Sequence, residues 1–127
     1  MSQIVVVEDD GANAMLIQLL LEMDGMDAVA YQTAAEAKKA ITTDTRAFVI
    51  DVNLAHGHSG IDLLQQIRNG QTNAPQNSVV LMTSGDQRRE TDCLQAGADG
   101  FLHKPYAPNI LSQRIKHLME ERTEETI

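Results

Sequence analysis

The sequence predicts an α/β domain: a single, doubly wound, three-layer unit with five parallel strands and helices on both faces of the sheet. Three observations predict it. Strand-like and helix-like patterns alternate along all 127 residues, giving five β–α units. The first apolar run, Ile4 to Val7, is unbroken and β-branched, as in a strand buried on both faces of a parallel sheet. No internal repeat or separating linker interrupts the alternation, and right-handed crossovers permit little else in so short a chain.

After the first strand, Met15, Leu16, Leu19, Leu20 and Met23 recur at helical spacing and are read as the core stripe of a helix ended by Gly25. Ala28 to Tyr31 is a weak second strand. Thr33-Ala34-Ala35-Glu36 has capping-box spacing and opens a second helix to about Ile41. Ala47 to Asp51 is the third strand. Gly60 then opens a helix with Ile61, Leu64 and Ile67 on one face, stopped by Asn69-Gly70. Val79 to Met82 is the fourth strand, followed by a polar helix from roughly Gln87 to Ala96 and a stop at Gly97. Gly100 to His103 is the fifth strand. The last helix starts near Pro108-Asn109, presents Leu111, Ile115 and Leu118, and ends in the acidic run 120–125. The domain is therefore bounded at 1–121, with 122–127 as an acidic tail.

Composition excludes several classes. With 43% hydrophobic and 22% charged residues the chain matches an ordinary globular domain, and scarce aromatics leave the core to Leu, Ile, Val, Ala and Met. The six methionines are expected mostly on core stripes or at Met1. A net charge of −8 makes it a poor nucleic-acid binder, because that affinity comes from Lys and Arg on phosphates. No apolar run is long enough to span a bilayer, and no charged-then-apolar leader opens the chain. The single Cys93 excludes an internal disulfide, reads as a core thiol and suits a reducing compartment, so a cytoplasmic location is expected.

The chemistry lies where strands end. Phe48-Val49-Ile50 stops on Asp51, and an unpaired carboxylate at the edge of a core is costly unless something neutralises it. In parallel sheets ligands bind beyond the carboxyl ends of the strands. There the sequence delivers Glu8-Asp9-Asp10, Asp51, Thr83-Ser84 and Lys104-Pro105. Singly each has a plain reading: a helix cap, a turn, a surface lysine. Together they suit a hard cation such as Mg²⁺ (or Mn²⁺), with Asp51 as a nucleophile towards phosphorus and Lys104 and Thr83 as partners of the phosphoryl oxygens.

Taken as a set, VVVEDD, FVIDVNL, VVLMTS and GADGFLHKPY resemble the receiver domain of two-component response regulators, over essentially the whole chain. The resemblance implies a flavodoxin-like strand order 2-1-3-4-5. It implies that Asp51 accepts a phosphoryl group from a sensor histidine kinase or a histidine phosphotransfer protein. It makes Asp9 a direct Mg²⁺ ligand, Glu8 a ligand mainly through water, Asp51 a further ligand and Asn53 the source of a backbone carbonyl. Thr83 becomes the switch hydroxyl, Phe101 the switch aromatic, Lys104 the phosphoryl-binding amine, and Lys104-Pro105 a cis bond. The domain would then act not as an enzyme but as a switch, on a downstream protein or attached output domain, and the resemblance also allows a homodimer.

The chain departs from the family at two places. The family's glycine usually stands one residue nearer the phospho-acceptor than Gly60 stands to Asp51, so the loop 55-AHGHS-59 is expected to be unusual. The segment from Thr83 to Lys104 is about one residue shorter than common, which leaves Ser84 as a second candidate for the switch; strand register favours Thr83. His56 and His58 raise a zinc reading, weak without a nearby cysteine; solvated loop residues are the plainer one. His103 and His117 read as surface positions. Two other functions compete. A haloacid-dehalogenase-like phosphatase needs an acid two residues after its nucleophile, where Asn53 stands. A degenerate receiver serving only as a docking module would lack some of the side chains named above, and none is missing.

Overall fold

The computed structural model describes residues 3–125. Five strands, β1 (Gln3–Val7), β2 (Ala28–Tyr31), β3 (Thr45–Asp51), β4 (Val79–Ser84) and β5 (Gly100–His103), form one parallel sheet in the order 2-1-3-4-5. Between and after them run α1 (Gly11–Met23), α2 (Ala34–Ala40), α3 (Gly60–Arg68), α4 (Glu90–Gln95) and α5 (Pro108–Glu125). The architecture is the flavodoxin-like one expected.

Strand alternation divides the core into two layers. Val5, Val7, Phe48, Ile50, Val80 and Met82 point to one face and pack with Leu64, Ile67 and Cys93. Ile4, Val6, Val49 and Leu81 point to the other and pack with Ile17, Leu21, Leu111 and Ile115 of α1 and α5. The apolar runs are continuous because helices cover both faces. Cys93 is fully buried, as a core thiol should be.

Local signals set the helix starts. Asp10 caps α1 by accepting from the Asn13 N–H, Thr33 caps α2 through the Glu36 N–H, and Ser59 caps α3 through the Ile61 N–H. The polar helix begins as a 3₁₀ turn, Gln87–Arg89, before α4. Far from the acidic rim, Arg68 donates to the carbonyls of Gln76, Ser78 and Gly97 and pairs with Asp99, tying α3 to the loops before β4 and β5. Continuous helix in α5 reaches Glu125, past position 122 where the tail was set apart; Thr126 and Ile127 lie outside the described residues.

One assignment is corrected. The α1 residues read as its core stripe are largely the outer ones: Met15 and Met23 are 73% exposed, Leu16 48% and Leu19 53%. The helix buries Ala14, Ile17 and Leu21 instead. The apolar residues of α1 surround most of its circumference, so periodicity alone could not select the inward face. Among the described methionines Met15 and Met23 depart from the expected core stripes, whereas Met82 is fully buried and Met26 and Met119 pack against the core.

Candidate functional site

Because the strands are parallel, their carboxyl ends share one edge, and the acids expected there do meet. Glu8, Asp9 and Asp51 each offer an oxygen within 4.8 Å of the others. Glu8 and Asp51 are buried, while Asp9 stands exposed at the mouth. Lys104 crosses from the end of β5, with Nζ 2.8 Å from Asp51 Oδ2 and 3.2 Å from both Glu8 oxygens.

The remaining residues frame this cluster. Asn53 donates its backbone N–H to Asp51 Oδ1 at 3.2 Å, and its side chain is exposed. Thr83 is buried and stands in register with Asp51, while its carbonyl accepts from the Val52 N–H at 2.9 Å. Ser84 is one position on, in register with His103, and its Oγ accepts from the Asp86 N–H at 3.0 Å. Phe101 already lies inside, 7% exposed, in the layer with Met82 and Cys93. The Lys104-Pro105 bond is cis. His103 and His117 are exposed, as read from the sequence.

The loop after Asp51 contains a 3₁₀ turn, Ala55–Gly57, where His56 and Gly57 both take positive φ. His56 and His58 are exposed. The chain then returns tightly: the Gly60 N–H donates to the Val52 carbonyl at 2.7 Å, and a Cβ on Gly60 would lie 2.1 Å from the Asp51 carbonyl oxygen. Only glycine fits there.

Electrostatics identify what the cluster lacks. Burial, then a hydrogen bond with Asp51 and the charge on Asp51, push the Glu8 carboxyl up to about 7, against the opposing pull of Asn13 and Lys104. Burial opposes the Lys104 ammonium, but the bond to Asp51 and the charges of Asp51 and Glu8 outweigh it and leave it above its ordinary value. One ammonium therefore serves two buried carboxylates with a third acid beside them, and negative charge is left over. Three oxygen donors with excess charge fit a hard divalent cation. Glu8, Asp9 and Asp51 would hold it.

One residue and one surface were missed. Asn13 Nδ2 donates to Glu8 Oε1 at 3.0 Å. The signal was an amide set within the apolar run of α1, five residues after Glu8. The second omission is a surface. An open groove of about 420 Å³ adjoins Lys104, lined by Asn13, Leu16, Ile17, Leu20, Pro105 and Tyr106. It joins the exposed apolar side of α1 to the acidic rim. Burial against this wall pushes the Tyr106 hydroxyl up to about 12.

A doubly wound sheet with an acidic pit facing a lysine at its carboxyl edge defines a site for cation-assisted chemistry on an anion. Comparison with known proteins gives the family. A family model for the response regulator receiver domain matches residues 4–116, and the chain belongs to that family. It is 30% identical over 119 residues to the alkaline phosphatase synthesis transcriptional regulatory protein PhoP of Bacillus subtilis, covering 92% of this chain and 48% of that protein. It is 29% identical to the transcriptional regulatory protein CpxR of Escherichia coli, covering 94% of this chain and 50% of that one. The chain thus spans about half the length of these relatives. Among solved structures, a CheY-like receiver domain protein from Methanospirillum hungatei superposes with a TM-score of 0.85 at 25% identity, covering 98% of each chain. The receiver domain of the Francisella response regulator 1452 does so with 0.83 at 26%, covering 94% of this chain and 98% of that one. The domain is a signalling module of two-component systems. No helix among the described residues is long and apolar enough to cross a membrane.

Proposed function

We propose that the domain is a phosphorylation switch whose acceptor is Asp51. The observation that carries this reading is the Asp51 carboxylate held 2.8 Å from Lys104 Nζ, with Glu8 and Asp9 close enough to share a cation. A divalent ion, Mg²⁺ or Mn²⁺, held by Asp9, Asp51 and the Asn53 carbonyl, with Glu8 acting through water, would neutralise the acids and the incoming phosphoryl oxygens. An Asp51 oxygen forms the bond to phosphorus as the donor's N–P bond breaks, and the departing imidazole nitrogen keeps that electron pair. Lys104 turns from the acids to a phosphoryl oxygen, and the Thr83 hydroxyl donates to another.

The switch follows from these contacts. Drawing Thr83 towards the phosphoryl group shifts the β4–α4 connection, and the face of α4, β5 and α5 offers the changed surface to a downstream protein, an attached output domain or a second copy. Phe101 is already inside and has no hydroxyl to hold it at the surface. With that ring inward irrespective of phosphorylation, the phosphoryl group would act chiefly through Thr83 and α4. A cytoplasmic histidine kinase or phosphotransfer protein is the donor. The exposed apolar side of α1 is where its helix would land, because the groove there runs directly into Lys104.

The test is incubation with Mg²⁺ and acetyl phosphate, followed by intact mass. One phosphoryl group gained by the parent and none by Asp51→Ala supports the switch. No gain supports a docking module that retains the acids without using them, and release of phosphate from unrelated phosphomonoesters supports the phosphatase.

A further inference from the structure

Glu8 is held from two sides. Lys104 Nζ contacts both of its oxygens from the β5 side, and Asn13 Nδ2 donates to Oε1 from the α1 side. The two holds differ in permanence. Lys104 is shared with Asp51 and sits on a flexible four-carbon stem, and an ammonium has only three donors to divide. Once Asp51 carries a phosphoryl group, the amine is needed there. Asn13 is anchored differently: its backbone N–H donates to the Asp10 cap at 3.1 Å, which fixes it in the first turn of α1 with a short side chain.

The placement of Asn13 also runs against packing. It lines the same wall as Leu16, Ile17 and Leu20, where an aliphatic side chain would add apolar contact. An amide there forfeits that contact, and its carboxylate bond to Glu8 is the compensating gain.

We propose that Asn13 is a positioning residue of the cation site, fixing the Glu8 carboxylate so that the three acids keep their arrangement when Lys104 has turned to the phosphoryl group. This rests on the phosphorylation reading above. Removing the amide frees a buried carboxylate that a bound cation needs oriented, and loss of such an outer partner costs about 10–100-fold in metal affinity.

The test uses the full chain, with Mg²⁺ binding followed by amide chemical-shift titration and folding by thermal melting without added metal. Asn13→Leu keeps the approximate volume and leaves the Asp10 cap intact. It is expected to bind Mg²⁺ about tenfold or more weakly, with an unchanged or raised melting midpoint. In a Glu8→Gln background the same substitution should cause little further loss, since its effect passes through Glu8. A lowered midpoint with parental Mg²⁺ affinity would make Asn13 a structural residue only and overturn the proposal. So would equal losses in the parent and Glu8→Gln backgrounds. If the parent itself fails to bind Mg²⁺, the phosphorylation reading falls and this inference falls with it; if the parent binds and Asn13→Leu binds equally well, this inference alone is lost.

Discussion

Lowering the pH should close the cation site, and the magnitude follows from one residue. Glu8 is buried and its carboxyl is pushed up from the ordinary 4.5 to about 7. When protonated, it shares that proton with Asp51 and so occupies an oxygen the ion needs. The ionised fraction falls from about nine-tenths at about pH 8 to about one-tenth at about pH 6, and Mg²⁺ affinity should fall about tenfold with it. Folding obeys the same linkage. Below the ordinary carboxyl range both folded and unfolded states hold the proton, and nothing is lost. Between about pH 4.5 and pH 7 the unfolded chain releases it first, so ion-free stability declines as pH rises, by on the order of 3 kcal/mol in total. Saturating Mg²⁺ should recover much of that at neutral pH. Calorimetric Mg²⁺ titrations across this range, beside Glu8→Gln, provide the check: the variant should bind weakly with a flat pH profile. A flat profile in the parent, or the same slope in Glu8→Gln, would refute the assignment to Glu8.

Three further outcomes are expected. Gly60→Ala puts a methyl 2.1 Å from the Asp51 carbonyl oxygen, so it should cost about 1–3 kcal/mol or more in chemical denaturation and slow acetyl phosphate labelling by displacing Asp51; parental values for both would contradict the tight return drawn here. Phe101→Tyr brings a hydroxyl into a buried position and should lower stability by about 1–3 kcal/mol in thermal melts; an unchanged midpoint would mean the ring rests outside. Leu16→Glu, on the exposed apolar side of α1, should slow phosphotransfer from a phosphorylated histidine phosphotransfer protein about tenfold while leaving acetyl phosphate labelling intact; equal slowing of both would argue against donor docking there.

The site was readable in the sequence to the degree that strand ends carry it. A β-branched run ending in Glu8-Asp9, another ending in Asp51, and the pairs Thr83-Ser84 and Lys104-Pro105 needed only the parallel-sheet rule to be placed at one edge. In the sheet Thr83 pairs with Asp51, and Ser84 lies one residue beyond, in register with His103. The loop beside the site was expected to be unusual from its length, but the 3₁₀ turn at Ala55–Gly57 and the close packing of Gly60 on the Asp51 carbonyl were not legible in the sequence.

The sequence by itself determined the element order, the parallel sheet and which polar side chains reach its rim, since each depends on local patterns and on handedness rules that any such chain obeys. Tertiary structure alone decided which side of α1 faces inward, that Asn13 answers Glu8, and that Phe101 rests in the core. The reason is degeneracy. From Ala14 to Leu21 only Gln18 is polar, so several faces of the helix are nearly equivalent in hydrophobicity. The choice falls to the space left between β1, β2 and α5, which no local window of sequence contains.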